Sequence, residues 1–294
     1  MVIARVFGGL GNQLFIYAAA RSLALRRGSD LVLDTVSGFK EDTLFHRRFL
    51  LDRFNVSYKD AGSSDILLRP TMIGRVSRAI ARRANRALPP KSRFYIADDM
   101  RRADRGILQG SQRAHVYLEG YWQSEECFRD HEATIRSELT PRHKPDKKTR
   151  SLAAEMACCD SVSVHFRTLV GSGNDTRPMA RLSQTYYQSC FRELKERLAN
   201  PHLYCFADSG VGLERILPEG MPTTVISHPN PDDCACEDLW LMTQCKHHVI
   251  ANSTFSWWGA WLGRSSGQIV MAPDIESSGY TALLPREWSR RSVG

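Results

Sequence analysis

Thirteen residues near the C-terminus, Ala251-Asn-Ser-Thr-Phe-Ser-Trp-Trp-Gly-Ala-Trp-Leu-Gly263, constrain this chain more than any other stretch. Trp257, Trp258 and Trp261 cost too much to leave in water, so the helix carrying them must lie against a large apolar surface. Ahead of them, the β-prone run His248-Val249-Ile250 leads into a polar corner, Asn252-Ser253-Thr254. Ser253 or Thr254 can cap the helix that follows. Its start then presents backbone N–H groups and the positive end of the helix dipole, a setting that holds phosphate. A well-capped core helix without a ligand would show the same pattern.

At 294 residues the chain has room for one or two domains, and 42% hydrophobic with 9% aromatic residues gives it a core. No apolar run approaches the length that spans a bilayer. The opening Met1–Phe7 is too short and too soon interrupted by Arg5 for a signal peptide, which predicts a cytosolic protein. The eight cysteines show no regular framework and are expected as free, mostly buried thiols. His228, Cys234, Cys236, Cys245, His247 and His248 lie close in sequence but lack paired C-x-x-C spacing, so no metal site is expected.

The net charge of +8 is concentrated between Arg69 and Arg105, which contains Arg75, Arg78, Arg82, Arg83, Arg86, Arg93, Arg101 and Arg102. Within it Ile73, Val76, Ile80, Ala84 and Ala87/Leu88 recur at helical spacing. A basic amphipathic helix can lie on an anionic membrane surface, and residues 69–105 are the candidate for that contact. That predicts a protein peripheral to the inner face of the membrane. A solvated surface helix is the alternative. No nucleic-acid recognition motif accompanies the charge.

The first third reads strand (Val2–Phe7), glycine-rich turn, helix (Leu14–Arg27, stopped by Gly28) and strand (Leu31–Leu33), a β-α-β unit with parallel strands. Val116–Glu119 reads as a strand and Glu125–Leu139 as one helix. The polar, proline-containing run Pro141–Lys148 marks a boundary between domains 1–150 and 151–275. Beyond it, strands at Ser161–Phe166, Leu203–Ala207, Thr223–Ile226, His248–Ala251 and Gln268–Ala272 alternate with helices, the pattern of a doubly wound parallel sheet. Residues 276–294 are expected as a tail returning to the N-terminal domain, with a short helix at Pro285–Trp288. Ligands of such sheets bind outside the carboxyl ends of the strands, here His165/Arg167, Asp208 and Asn252-Ser253-Thr254.

Two of these ends deserve chemical reading. Gly8-Gly9-Leu10-Gly11-Asn12-Gln13 is neither the dinucleotide fingerprint nor a Walker loop, but its glycines admit close approach of a ligand. Asn12 and Gln13 can then bond sugar or phosphate oxygens, or Asn12 can cap the helix. In His165-Phe166-Arg167 the guanidinium offers paired planar donors suited to a diphosphate, or to an ion pair between domains.

These pieces resemble glycosyltransferase family 11, the α-1,2-fucosyltransferases. The matching segments are Gly8–Gln13, Tyr117-Leu-Glu-Gly-Tyr-Trp-Gln-Ser124, Val162–Arg167, Leu182-Ser with Tyr186-Tyr187, and Phe206-Ala-Asp208. Asp238–His247 and Ala251–Leu262 complete them, in order over nearly the whole chain. The resemblance implies a GT-B-like fold of two Rossmann-like domains facing a central cleft. It implies an inverting transferase that uses GDP-β-L-fucose, needs no metal or other cofactor, and glycosylates a glycan acceptor, with the acceptor on the N-terminal domain and GDP on the C-terminal one. Charge developing on the departing β-phosphate then needs fixed donors. Arg167, Ser253, Thr254 and the N–H groups at that helix start are the candidates. His165 and Asp175 join Arg167 as catalytic candidates. Gly9, Gly11, Asn12, Asp208, Asn252 and Phe255 complete the donor site, with Asp208 placed to accept from the guanine edge.

One segment departs from the family. Its His-x-Arg-Arg-x-Asp motif here reads His165-Phe-Arg-Thr168-Leu-Val170, and an acid and a second arginine recur only at Asp175 and Arg177. Asp175, Asp34 and Glu119 are the candidate general bases.

Overall fold

Val2–Arg5 (β1), buried at every position, forms the first strand, and Leu31–Asp34 (β2) lies parallel beside it with Val2 opposite Leu31. The connecting helix, Leu10–Arg26 (α1), is buried around most of its girth, because its apolar residues are spread over all its faces. It ends as the glycine predicts: Gly28 takes φ +56°, its N–H bonds Leu25 O, and Ser29 N–H reaches back to Ala24 O. Its start lies four residues earlier than the periodicity suggests, inside the glycine loop, with Gly9 as N-cap.

The protein is described here by a computed structural model covering residues 1–62, 65–98, 108, 110–166, 182–207, 213–226, 231–275 and 284–293. It divides into two units, Met1–Arg142 and His143–Gly294. The division falls inside the expected linker but before residue 150, because Lys147–Ala157 already forms a helix of the second unit, capped by Asp146.

The first unit adds Ser37–Lys40 (α2), Lys59–Asp60 (β3), Met72–Arg86 (α3), Tyr95–Ala97 (β4), Val116–Glu119 (β5) and Glu132–Glu138 (α4). Its five strands are all parallel, in the order β3-β2-β1-β5-β4. The single helix expected over Glu125–Leu139 is instead two 3₁₀ turns, Glu125–Cys127 and Arg129–His131, followed by α4. Phe128 leaves helical geometry at φ −139° and buries its ring 6.2 Å from that of Phe15.

The second unit runs Lys147–Ala157 (α5), Asp160–Phe166 (β6), Gln184–Arg197 (α6), Pro201–Ala207 (β7), Thr223–Ile226 (β8) and Pro231–Gln244 (α7). His247–Val249 (β9), Thr254–Leu262 (α8), Val270–Asp274 (β10) and Ser289–Ser292 (β11) follow. The six strands are parallel, ordered β11-β10-β9-β6-β7-β8. Alternation along β7 supplies both faces: Leu203 and Cys205 pack with Tyr186, Phe191 and Leu194 of α6, while Tyr204 and Phe206 pack with Met156 of α5 and Met242 of α7.

In the described part of the tail, the short helix expected at Pro285–Trp288 is a turn, closed by Trp288 N–H on Pro285 O, and Ser289–Ser292 then forms the edge strand β11, paired with β10 through Met271 and Ser289. Trp288, just before it, packs its ring 5.5 Å from that of Trp257, tilted at 49°.

Candidate functional site

Strand order locates the candidate site of each unit. From β6 the chain winds outward through β7 and β8, then crosses back to β9 on the other side of β6. The strand order therefore reverses between β6 and β9, and the crevice outside the carboxyl ends of such neighbours is where doubly wound sheets hold their ligands. Val164 pairs with Val249, so His165 and Phe166 stand level with the residues leading to Asn252 and Ser253.

At that crevice Ser253 is the N-cap of α8, at φ −152° and ψ 127°, and its hydroxyl accepts from Phe255 N–H at 3.3 Å. Thr254 is thus the first helical residue rather than the cap. Ser256 ties the corner from behind: its hydroxyl accepts from Ala251 N–H at 3.2 Å and donates to Ser253 O at 3.4 Å. Ser253 retains its own O–H to donate.

The tryptophans hold this corner. Trp257, Trp258 and Trp261 are buried, with centroid distances of 5.0, 5.9 and 5.2 Å among the three pairs. Gly259 lets α8 sit directly on α7: a Cβ there would come within 2.8 Å of Met242 Cβ. Phe255, half-buried against the cluster that holds Met242, has its ring centroid 5.8 Å from that of His165 at 52°. The His165 carbonyl in turn accepts from the Tyr187 hydroxyl at 3.0 Å. The crevice therefore brings together His165, Asn252, Ser253, Thr254 and Phe255. Arg167, Asp175 and Asp208 lie outside the described residues.

Of the histidines and cysteines clustered nearby in sequence, His228 lies outside the described residues and His247 has another use. His247 Nδ1 accepts from Ile269 N–H at 3.1 Å, and burial lowers its pKa. His248 is enclosed completely, and loss of solvation pushes its pKa down to about 3, so the ring is neutral. Among the described residues no group of three or more His, Cys, Asp or Glu side chains is placed to hold a metal ion. The cysteines are all free: Cys127, Cys190, Cys205 and Cys245 are buried as expected, but Cys159, Cys234 and Cys236 are only half-buried and Cys158 is exposed.

The first sheet reverses at β1 and β5, and the glycine loop leaves β1 at that point. Gln13 is not available to a ligand there: its amide nitrogen donates to Gly8 O at 2.9 Å and Arg48 O at 2.8 Å, and its oxygen accepts from Leu50 N–H at 2.9 Å. This fully used, buried amide fixes the loop. Asn12 does not cap α1. Its oxygen accepts from Gln123 Nε2 at 2.9 Å, bridging the loops that follow β1 and β5. Phe7 and Tyr121 close the same gap, ring to ring at 4.7 Å. Tyr121 and Gln123 belong to the family-like run Tyr117–Ser124, yet nothing in their spacing marks them as crevice residues.

Beneath the crevice lies a charged network that argues against two candidate bases. Asp34 is buried and accepts from Ser37 N–H at 2.9 Å, Val36 N–H at 3.2 Å and the Ser37 hydroxyl, so it caps a turn. Glu119 accepts from Arg5 at 3.1 Å and from the Tyr95 hydroxyl. Arg5 also donates to Glu41 at 2.7 Å and Ser37 Oγ at 2.9 Å. Next to this network Trp122 holds φ +54°, uncommon for a bulky residue, with its N–H on Asp98 Oδ2 at 2.9 Å.

A profile of the family described as Glycosyl transferase family 11 matches residues 1–289. The chain belongs to glycosyltransferase family 11. An Escherichia coli alpha-1,2-colitosyltransferase is 32% identical to this family 11 chain over 297 residues, covering 99% of the chain and 98% of that protein. The Escherichia coli O-antigen biosynthesis glycosyltransferase WbnK is 25% identical over 292 residues, covering 90% of the chain and 91% of that protein. Among solved structures, a GDP complex of a mutant Arabidopsis thaliana FUT1 aligns with a TM-score of 0.52 at 12% identity, covering 92% of this chain and 69% of that one. That likeness, with two parallel α/β sheets, shows a GT-B-like fold of two Rossmann-like domains. Among the described residues, no helix of the family 11 chain is long and apolar enough to cross a membrane.

Proposed function

We propose that this glycosyltransferase moves L-fucose from GDP-β-L-fucose to the 2-OH of a galactoside on a glycan acceptor, inverting the anomeric centre to give an α-1,2 linkage. The observation that carries the reading is the β6/β9 crevice, where a serine-capped helix start braced by buried tryptophans faces outward beside His165. In this reading the second unit binds the donor. Ser253, Thr254 and the N–H groups of the first turn of α8 receive the diphosphate, and Arg167, next in sequence after Phe166, pairs with it. Asp208 accepts from the guanine edge, Phe255 and Asn252 line the sugar-phosphate, and no metal is needed.

The acceptor 2-OH attacks C1 from the face opposite the diphosphate. The C1–O bond breaks with its electron pair leaving on the β-phosphate, where fixed donors stabilise the charge. A carboxylate takes the hydroxyl proton. Asp34 and Glu119 are occupied by structural bonds, and Asp175 is the assigned base. The acceptor lies on the first unit, whose glycine loop gives close approach to sugar or phosphate oxygens at Gly9 and Gly11 and a polar edge at Asn12. The name of the WbnK relative, an O-antigen biosynthesis glycosyltransferase, supports a bacterial surface glycan as acceptor.

A second reading, donor transfer of colitose, is favoured by the 32% identity to a colitosyltransferase. Colitose lacks the 3-OH of fucose, and a site built to bond that hydroxyl rejects the deoxy sugar strongly. Turnover of GDP-fucose against GDP-colitose on lactose and N-acetyllactosamine, with the linkage read by NMR, separates them. Thermal stabilisation by UDP but not by GDP would overturn both.

A further inference from the structure

Helix α3 sits on its sheet the wrong way round for an ordinary amphipathic helix. Its inward face is Gly74, Arg78, Ala81 and Asn85. Polar bonds pin this face: Arg78 donates to Leu67 O at 2.8 Å, to Arg69 O at 3.2 Å and to the Glu41 carboxylate, and Asn85 Oδ1 accepts from Phe94 N–H at 2.9 Å and Tyr95 N–H at 3.0 Å. The aliphatic residues point the other way. Met72 is 65% exposed, Ile73 60%, Val76 49% and Ile80 63%. At about 100° per residue these four share one arc, and Arg75, Arg82 and Arg86 flank it.

Burying the aliphatic face would have been the stronger local choice, since each such side chain gains roughly 1.5–3 kcal/mol on full burial. Here the inward bonds fix the opposite orientation. An outward row of four large aliphatic side chains is a patch that needs a cover. The charge around it selects the cover: Arg69, Arg75, Arg78, Arg82, Arg83, Arg86, Lys91 and Arg93 lie between Ile66 and Ala97 without one acidic residue. Nucleic acid would match the charge but leave the aliphatic row in water.

We infer that α3 docks this enzyme on an anionic lipid surface, with Met72, Ile73, Val76 and Ile80 entering the headgroup boundary and the flanking arginines meeting lipid phosphates. The inference stands on the orientation of α3 and is independent of the donor and acceptor assigned above.

The test is co-sedimentation of the full chain with phosphatidylcholine vesicles and with vesicles containing phosphatidylglycerol. Binding is expected to the second only and to fall with salt. Replacing Ile73, Val76 and Ile80 together by serine should lower partitioning at least about tenfold, because the hydrophobic anchor is gone. Arg82→Gln, Arg83→Gln and Arg86→Gln should each lower it by about fivefold. All four variants replace exposed side chains, so melting temperature and transfer to a soluble acceptor should match wild type. Equal binding to both vesicle types, no binding, or binding unchanged in the serine variant would overturn the inference. So would a wild-type dimer that the serine variant converts to monomer without any vesicle binding, since a second copy would then be the cover.

Discussion

His165 and Phe255 face each other across the reversal of the second sheet, rings 5.8 Å apart, although they are remote in sequence. Phe255 is held from the helix side and His165 from the strand side through the Tyr187 hydroxyl. The pair is therefore a wall whose two halves are fixed independently. Phe255→Ala should leave the fold intact and lower kcat/KM for the donor by roughly ten- to a hundredfold through misplacement of the bound diphosphate. Steady-state kinetics with saturating acceptor measures it, and wild-type values would remove Phe255 from the site.

Ser253 has two separable duties, capping α8 and donating to phosphate. Ser253→Ala loses both, whereas Ser253→Gly keeps most of the cap. The alanine variant should be about 1 kcal/mol less stable, a fall of about 2–4 °C in Tm. Both variants should bind GDP several-fold more weakly, by calorimetry. Unchanged GDP affinity in both would refute the phosphate role.

Gln13 and Gln123 bond the same loop with opposite consequences. Gln13→Ala strips partners from Gly8, Arg48 and Leu50 in a buried setting and should cost about 2–4 kcal/mol in urea unfolding. Gln123→Ala releases only Asn12 and should change stability by less than about 1 kcal/mol while raising KM for the acceptor. Equal destabilisation by the two changes would contradict the division of labour.

The neutral His248 predicts an acid limb in stability. Its folded pKa, about 3, lies below its ordinary value, so between the two the unfolded chain binds the extra proton. Stability is therefore complete above about pH 6.5 and falls as pH drops below it, by at most about 1.4 kcal/mol per pH unit. His248→Leu should flatten the difference between pH 7 and pH 5 in denaturant melts. An identical slope in both proteins would show that the ring is not kept neutral.

Local signals carried much of this fold. The Gly28 stop, the tryptophan helix and the polar strand ends at His165 and Asn252 all follow from short-range chemistry. What escaped was settled at long range. Periodicity along α3 defines an apolar face but not which way it points, and the direction is set by Glu41 and the Phe94–Tyr95 backbone meeting Arg78 and Asn85. The strand Ser289–Ser292 has no apolar alternation, because an edge strand is held by its ladder and here by Arg291 on Glu193. Gln13 looked like a ligand contact because the backbone groups it serves, at Arg48 and Leu50, lie far along the chain.

Both reversal points have a kinetic consequence. The crevice of the first sheet lies just beyond the pairing of Ala4 with Leu118, and that of the second just beyond Val164 with Val249, the most distant strand partners in each unit. Closing such long loops carries the largest entropy cost and delays pairing. Each crevice is therefore among the last parts of its unit to take shape as the chain folds. A partly folded chain would already carry its glycine turn and its tryptophan helix, yet have nowhere to seat a sugar nucleotide.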